Sequence, residues 1–413
     1  MALTQEENDL LTRVENGAPM GEMIRQHYWL PAIPADKLVA DGTPIRVRLL
    51  GRNYVAFRNT AGQAGVLDEH CPHRRASLLV ARNEENGLRC IYHGWKMDVH
   101  GSVVEAPNQL GNQEAFCRNV RVNRYAVAER GGIAWVWLGQ GEVPPPFPDL
   151  PFTRVPADQV MVGCQEVPTN WLQGVEASVD TSHVGVLHST NVALGARTSG
   201  RVHMTRQKAP ELEFEDRAYG YRYAALRDLG DGNTYVRLNN FVMPWFGVIC
   251  APEAGANANV FFSTPVDDTT HRAWIIQWNP ERPLGVSGLM RGSDSWNWPP
   301  LPPGGPENNW GQDRALMKMG HFTGFPQSFA TEDFAMFLGQ GPIHDRTQEQ
   351  LCSADGAVVR LRRQLLKSVR EFMAGKTPEL ADPARLDYGT AVSVGGVIPT
   401  GSDWHALVDE PAH

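Results

Sequence analysis

Cys71-Pro72-His73-Arg74-Arg75-Ala76-Ser77-Leu78 and, after residues 79–89, Cys90-Ile91-Tyr92-His93-Gly94-Trp95-Lys96 decide how the front of this chain folds. Each stretch offers one thiolate and one imidazole on a short loop that runs on into polar or turn-forming residues. A structural zinc site usually pairs C-x-x-C with H-x-x-x-H. Here Cys and His alternate within each loop. Two such loops can clamp a binuclear cluster from opposite sides, with both thiolates on one iron and both imidazoles on the other. Neutral imidazoles in place of thiolates remove negative charge and raise the reduction potential. The centre is then a mild electron carrier, with a structural zinc ion as the alternative occupant.

Cys71, His73, Cys90 and His93 together are the ligand set of a Rieske two-iron, two-sulfur (2Fe-2S) centre. Arg74 and Arg75 are either solvated loop charges or groups that stabilise the reduced cluster or face an electron donor. Cys117, Cys164, Cys250 and Cys352 have no partner at ligand spacing and read as ordinary thiols. Around the two loops lie short β-rich runs, 45–50, 54–58, 65–68, 125–128 and 132–138, bounded by Gly, Asn or Asp. That is the pattern of a small antiparallel β domain. Two helices are predicted ahead of it, over 6–15 and 20–26. Prolines at 144, 145, 146 and 148 suit neither a helix interior nor a central strand and mark a linker. The expected domains are therefore 1–143, including both N-terminal helices, and 144–413.

Beyond the linker the pattern predicts a helix over 171–187, strands over 234–249, 258–265 and 272–278, and an amphipathic helix over 354–373. This mixture of sheet and helices reads as α+β. The Pro/Trp-rich stretch 293–310 reads as a packed surface loop, with a pocket lid or subunit contact as the alternative.

Residues 170–188, NWLQGVEASVDTSHVGVLH, carry a second candidate site. On the predicted helix, Glu176, Asp180 and His183 share one face. His188 lies about 140° further round an ideal helix. Both imidazoles can meet one metal only if the helix bends or ends between them, where Gly185 sits. Two His and one carboxylate on one face of a metal leave positions open, the facial triad of non-haem Fe(II) oxygen enzymes. Glu176 and Asp180 sit too far back to complete it. Thr331-Glu332-Asp333-Phe334, on a predicted helix, is the better source, because its apolar neighbours would bury a charge that needs a partner.

Composition bounds the rest. The 413 residues are 42% hydrophobic, which excludes intrinsic disorder, and the formal net charge of −8 gives no electrostatic footprint for nucleic acid. No apolar run approaches the roughly 20 residues of a spanning helix, and the acidic N-terminus lacks an export signal. The chain reads as cytoplasmic, with neither membrane nor nucleic acid as a partner.

CPHRRASL, CIYHGWK, NWLQGVEASVDTSHVGVLH and EDFAMFLGQGPIHDRTQE resemble the Rieske non-haem iron aromatic ring-hydroxylating oxygenases, over most of the chain. The closer likeness is to the oxygenase (alpha) component of phthalate-dioxygenase-type enzymes. The resemblance implies Cys71, His73, Cys90 and His93 on the cluster, and His183, His188 and Asp333 on a mononuclear Fe(II). It implies that Asp180 bridges an iron histidine to a cluster histidine of a neighbouring subunit, and that Asn170 lies near the iron. Arg75 departs from the family, where many members carry Gly. The implied fold is an N-terminal antiparallel β domain followed by a catalytic domain with an antiparallel sheet covered by helices. The implied assembly is a homotrimer or stacked hexamer, fed by a separate flavin and ferredoxin-type reductase. No dinucleotide fingerprint occurs in this chain: LGQGEV and LGQGPI lack the further glycines and the strand-to-helix context.

The expected activity is a terminal oxygenase that uses reductase-supplied electrons and O2 to hydroxylate a small aromatic substrate. An aromatic carboxylate of the phthalate, isophthalate, halobenzoate or phenoxybenzoate class is expected. O- or N-demethylation is the alternative. A carboxylate calls for a cationic clamp. Arg237 in the strand YVRLNNFVM and Arg206 in MTRQK are the candidates, each also readable as an ordinary salt-bridged or solvent-facing arginine.

Overall fold

The computed structural model describes residues 3–141, 143–190, 202–249, 257–284 and 295–409. The chain divides into two compact units, one of Glu15–Gly17 with Gly21–Phe147, the other of Met1–Val14, Ala18–Met20 and Pro148–His413. The fold class is α+β, as the pattern predicts.

The smaller unit carries a six-stranded antiparallel sheet in the order Trp29–Pro34, Ile133–Trp137, Arg124–Arg130, Ala64–Asp68, Arg52–Arg58, Ile45–Leu49. The first of these strands escapes the sequence pattern because WLPAIP holds two prolines. It sits at a sheet edge with its register broken between Pro31 and Ile33, where missing N–H groups are tolerated. A second sheet, Arg82–Glu84, Gly87–Arg89, Lys96–Asp98 and Val103–Glu105, is built from strands too short to show a period. Val55, Leu67, Leu88, Met97 and Val103 form the core on which Cys71 and Cys90 are packed.

The larger unit is organised on an eight-stranded antiparallel sheet. Its order is Val160–Val167, His271–Trp278, Ala258–Pro265, Phe246–Ile249, Asn233–Val242, Gly220–Asp228, Glu211–Arg217, with Gly395–Pro399 also paired to Asn233–Val242. The expected single strand 234–249 is two strands, Asn233–Val242 and Phe246–Ile249, folded back on each other in a hairpin. Helices Trp171–Val179, Phe329–Gly339 and Gly356–Met373 belong to this unit. Residues 295–298 of the Pro/Trp-rich loop run along the edge strand at Cys164, with Cys164 N donating to Ser295 O and Trp298 N to Cys164 O. Trp298 packs against the core cluster that contains Val167, Ala330 and Phe334, so this part of the loop is core cover.

Two expectations change. The first N-terminal helix, Gln5–Thr12, belongs to the larger unit and not to the front domain. Its Asn8 is buried, donates to His344 O and accepts from Arg346 Nη1. The helix predicted over 171–187 ends at Val179, where Asp180 is extended at φ −76°, ψ 114°. Asp180 Oδ1 accepts from both Ser182 N and Ser182 Oγ at 2.7 Å, a side-chain turn that competes with continued helix. Asp180 and His183 therefore do not share a helix face with Glu176.

Candidate active site and metal centres

The two Cys/His loops of the smaller unit close in the same way. Arg75 N donates to Cys71 O and Gly94 N to Cys90 O, while Cys71 N donates to Ala76 O and Cys90 N to Trp95 O. Both closing residues are left-handed, Arg75 at φ 60° and Gly94 at φ 78°. Arg75 thus adopts the backbone a glycine would, at a cost of roughly 1–2 kcal/mol, and the loop keeps its shape. The sulfurs of Cys71 and Cys90 are buried, and burial, reinforced by Cys90, pushes the Cys71 thiol up to about 11. A thiol raised in this way becomes a thiolate when a metal cation sits beside it. The His73 and His93 rings lie 4.5 Å apart, edge to face at 71°, and His93 Nδ1 is buried without a hydrogen-bond partner. Two buried thiols and a sealed, unpartnered imidazole nitrogen fit the sulfur-and-nitrogen donor set of a Rieske cluster. His73 also stacks on Trp95 at 4.6 Å, and the Trp95 indole N–H is held by Asn108. Arg74 lies over the exposed Tyr92 ring.

In the larger unit, His183 opens the short turn His183–Gly185, His188 follows it, and Asp333 projects from the helix Phe329–Gly339. Their ligand atoms lie within 4.8 Å of one another. Asp333 Oδ1 is 3.2 Å from His188 Nε2 and 3.7 Å from His183 Nε2, so both Nε2 atoms and one carboxylate oxygen face a common point. Each Nδ1 is gripped from behind: His183 by Asp180 Oδ2 at 3.2 Å, His188 by Glu332 Oε2 at 2.7 Å. That fixes the tautomer in which Nε2 offers its lone pair to a metal. Burial works against a charged His188, yet the carboxylates of Asp333 and Glu332 outweigh it and raise its pKa to about 9. A field that holds a proton so firmly also suits a divalent cation. Burial likewise opposes charge on Asp180, but His183 and the Ser182 donors hold its carboxyl well below the usual range. Its Oδ1 already accepts twice from Ser182, so a donor from elsewhere would take a remaining lone pair.

Beside these three side chains opens a cavity of about 190 Å³. Phe261, Ile275, Phe329, Phe334 and Phe337 form an apolar wall; Ser178, Arg237, Asn239 and Asn259 supply polar lining. Arg237 is buried, and its guanidinium donates to Thr181 Oγ1 at 2.8 Å. Arg227 of the paired strand donates to Thr181 O, so the segment between Asp180 and His183 is pinned from the sheet.

One sequence assignment falls elsewhere. Asn170, placed near the iron by resemblance, instead caps the helix Trp171–Val179: its Oδ1 accepts from Leu172 N, and its Nδ2 donates to Thr12 O and Asp268 O. It is fully buried and not among the cavity residues. Its Nδ2 is committed to Thr12 O and Asp268 O, and a substrate would find no free donor there. Glu176 is bound by Arg346 and Arg362 in a buried ion-pair network. The Arg206 side chain and Cys250 lie outside the described residues. Cys117 and Cys164 are buried, and Cys352 is exposed. Sequence reading weighed Glu332 only as a rival ligand and did not single out Thr323. Adjacent residues on a helix point about 100° apart, so a Glu-Asp pair beside a metal signals that one of them does another task.

A β unit with two facing Cys/His loops, and a second unit with a two-His-one-carboxylate centre beside an aromatic cavity, define an iron–sulfur, mononuclear-iron oxidoreductase. Residues 28–120 match the Rieske [2Fe-2S] domain family and residues 136–411 the LigXa C-terminal domain-like family. The chain belongs to the Rieske non-haem iron oxygenases and is an oxygenase component of the phthalate-dioxygenase type, with a 2Fe-2S cluster and a mononuclear iron as cofactors. It is 39% identical to the phthalate 4,5-dioxygenase oxygenase subunit of Pseudomonas putida, over 93% of this chain and 91% of that one. It is 35% identical to the 3-chlorobenzoate-3,4-dioxygenase oxygenase subunit of Comamonas testosteroni, over 99% and 98%. The solved structure of NdmA from Pseudomonas putida CBB5 shares the fold, with a TM-score of 0.58 at 19% identity over 93% of this chain and all of that one. Among the described residues no helix is long and apolar enough to cross a membrane.

Proposed function

We propose that this chain is the terminal oxygenase of a cytoplasmic multicomponent system that hydroxylates an aromatic carboxylate, with electrons supplied by a separate flavin and ferredoxin-type reductase. Arg237 carries the reading: it is a buried guanidinium in the wall of a cavity otherwise rich in phenylalanine, which also contains Asp333, His183 and His188. Cys71, His73, Cys90 and His93 hold the cluster; His183, His188 and Asp333 hold the iron. When bound, these groups supply single electrons and the open coordination positions at which dioxygen is reduced. The protein's own part is placement. Arg237 pairs with the substrate carboxylate, and Phe261, Phe329 and Phe334 sandwich the ring. The wall shields the reacting edge from water, while Asp180 keeps the His183 proton on Nδ1. Product analysis with labelled dioxygen, across phthalate isomers, halobenzoates and phenoxybenzoates, tests the reading. Label in no ring product of any carboxylate would overturn it.

Arg237→Ala should raise the KM for a carboxylated aromatic by roughly tenfold or more, on the scale of a lost charge-assisted hydrogen bond. The kcat should change less. Unchanged steady-state kinetics would place Arg237 outside the binding contacts.

Asp180→Asn should keep the cluster spectrum and much of the iron yet lose nearly all substrate oxidation. This follows from its proposed place on the electron route between a cluster histidine of one subunit and the iron of the next, in a trimer or stacked hexamer. Co-expression with Cys71→Ser gives a second reading, because mixed trimers should regain some activity that neither parent has. Confirmed mixed assemblies with no activity would rule out transfer between subunits.

A further inference from the structure

Glu332 is a fully buried carboxylate next to Asp333 in the chain. The two grip one imidazole from both sides: Asp333 Oδ1 lies 3.2 Å from His188 Nε2, and Glu332 Oε2 lies 2.7 Å from His188 Nδ1. The second Glu332 oxygen is not idle. Thr323 Oγ1 donates to Glu332 Oε1 at 2.6 Å and accepts from Phe325 N. A hydroxyl has one proton, and here it goes to the carboxylate. Glu332 thus has a hydrogen-bond partner on each oxygen.

The segment that presents Thr323 is itself anchored. Gln312 Nε2 donates to Thr323 O at 2.6 Å, and Phe322 N donates to Thr190 Oγ1, just beyond His188 in the chain. Residues 322–325 therefore hold His188 at two points, through Thr190 on its own strand of chain and through Glu332 on its ring. Asp180 does the corresponding task for His183, but its side chain is 22% exposed whereas that of Glu332 is 0% exposed. Glu332 is sealed from solvent and bonded on both oxygens. What it can do is hold a ring plane and a proton.

We propose that Glu332, oriented by Thr323, is a positioning residue for the mononuclear metal. It keeps the proton on His188 Nδ1 and fixes the ring so that Nε2 faces the ion. The proposal rests on His183, His188 and Asp333 being the ligands. Outer partners of metal-bound histidines typically contribute about 10–100-fold in metal affinity.

The test uses the full chain with its cluster intact and the mononuclear ion removed, titrated with Co(II). Glu332→Ala should weaken Co(II) binding by about 10–100-fold and shift the cobalt ligand-field bands. Glu332→Gln, which keeps an acceptor but loses the charge, should fall between it and the parent. Thr323→Val should weaken binding in the same direction, and Thr323→Ser should restore it. Asp333→Ala is the control for the ligand set. If Asp333→Ala also binds Co(II) normally, the ligand assignment has failed. If Asp333→Ala loses Co(II) while Glu332→Ala, with unshifted bands, binds as the parent does, the positioning role is wrong. Should Glu332→Ala not fold, unchanged affinity and spectra in both Glu332→Gln and Thr323→Val would overturn it equally.

Discussion

Asp333→Ala should purify with its visible iron–sulfur chromophore intact, without mononuclear iron, and with substrate oxidation at background. Among the described residues, Asp333 Oδ1 is the carboxylate oxygen that faces both Nε2 atoms. Removing it leaves only the two imidazoles facing the ion, with Asp180 and Glu332 engaged on the far side of the rings. Deleting one partner of a partly buried charge pair typically costs on the order of 4 kcal/mol, about a thousandfold in affinity. The fold should survive. The helix Phe329–Gly339 is capped by Ser328 and held by Ala330, Phe334 and Phe337, none of which depends on Asp333. Metal analysis alongside the visible spectrum checks both halves of the expectation. Retained stoichiometric mononuclear iron would remove Asp333 from the ligand set.

Cys71→Ser should lose the cluster chromophore and all turnover while the mononuclear site still binds iron. A serine oxygen is a poor substitute for a thiolate on a cluster iron. The loop itself need not collapse, because its closing hydrogen bonds, Arg75 N to Cys71 O and Cys71 N to Ala76 O, are made by the backbone. His183, His188 and Asp333 all belong to the other compact unit, so their geometry does not depend on Cys71. Electron paramagnetic resonance of the reduced variant is the decisive measurement. A parent-like Rieske signal would refute the assignment of Cys71.

The cluster loops were legible in the sequence because their chemistry is local. Cysteine and histidine a few residues apart on one loop need only a turn to face the same way, and Gly94 announces one of the two turns. Arg75 hides the other, since an arginine at φ 60° leaves no pattern in a single sequence. The candidate iron residues were legible as types and spacings, and the need for a break between His183 and His188 followed from helix geometry. Where the helix ended did not follow. Residues 171–187 carry no proline or other obligatory breaker. The decision rests on a side-chain turn at Asp180 and on Tyr223 Oη donating to Val179 O from the sheet. Asn170, placed near the iron by resemblance, instead caps the helix Trp171–Val179 with its Oδ1 and ties Thr12 O and Asp268 O with its Nδ2.

Composition, spacing and period by themselves determined that this chain pairs a small β domain bearing a Cys/His cluster with an α+β catalytic part. They also determined which residue types could hold each metal. Those signals live within a few residues of one another, where covalent connection already limits the geometry. The tertiary structure alone decided which carboxylate faces both Nε2 atoms and that Glu332 stands behind His188. It also decided that Arg237 points into a phenylalanine-lined cavity and that the first helix packs with the second unit. Each of these is a meeting of residues far apart in the chain. Only burial of the apolar faces between them, with every buried charge forced to find a partner, brings them together.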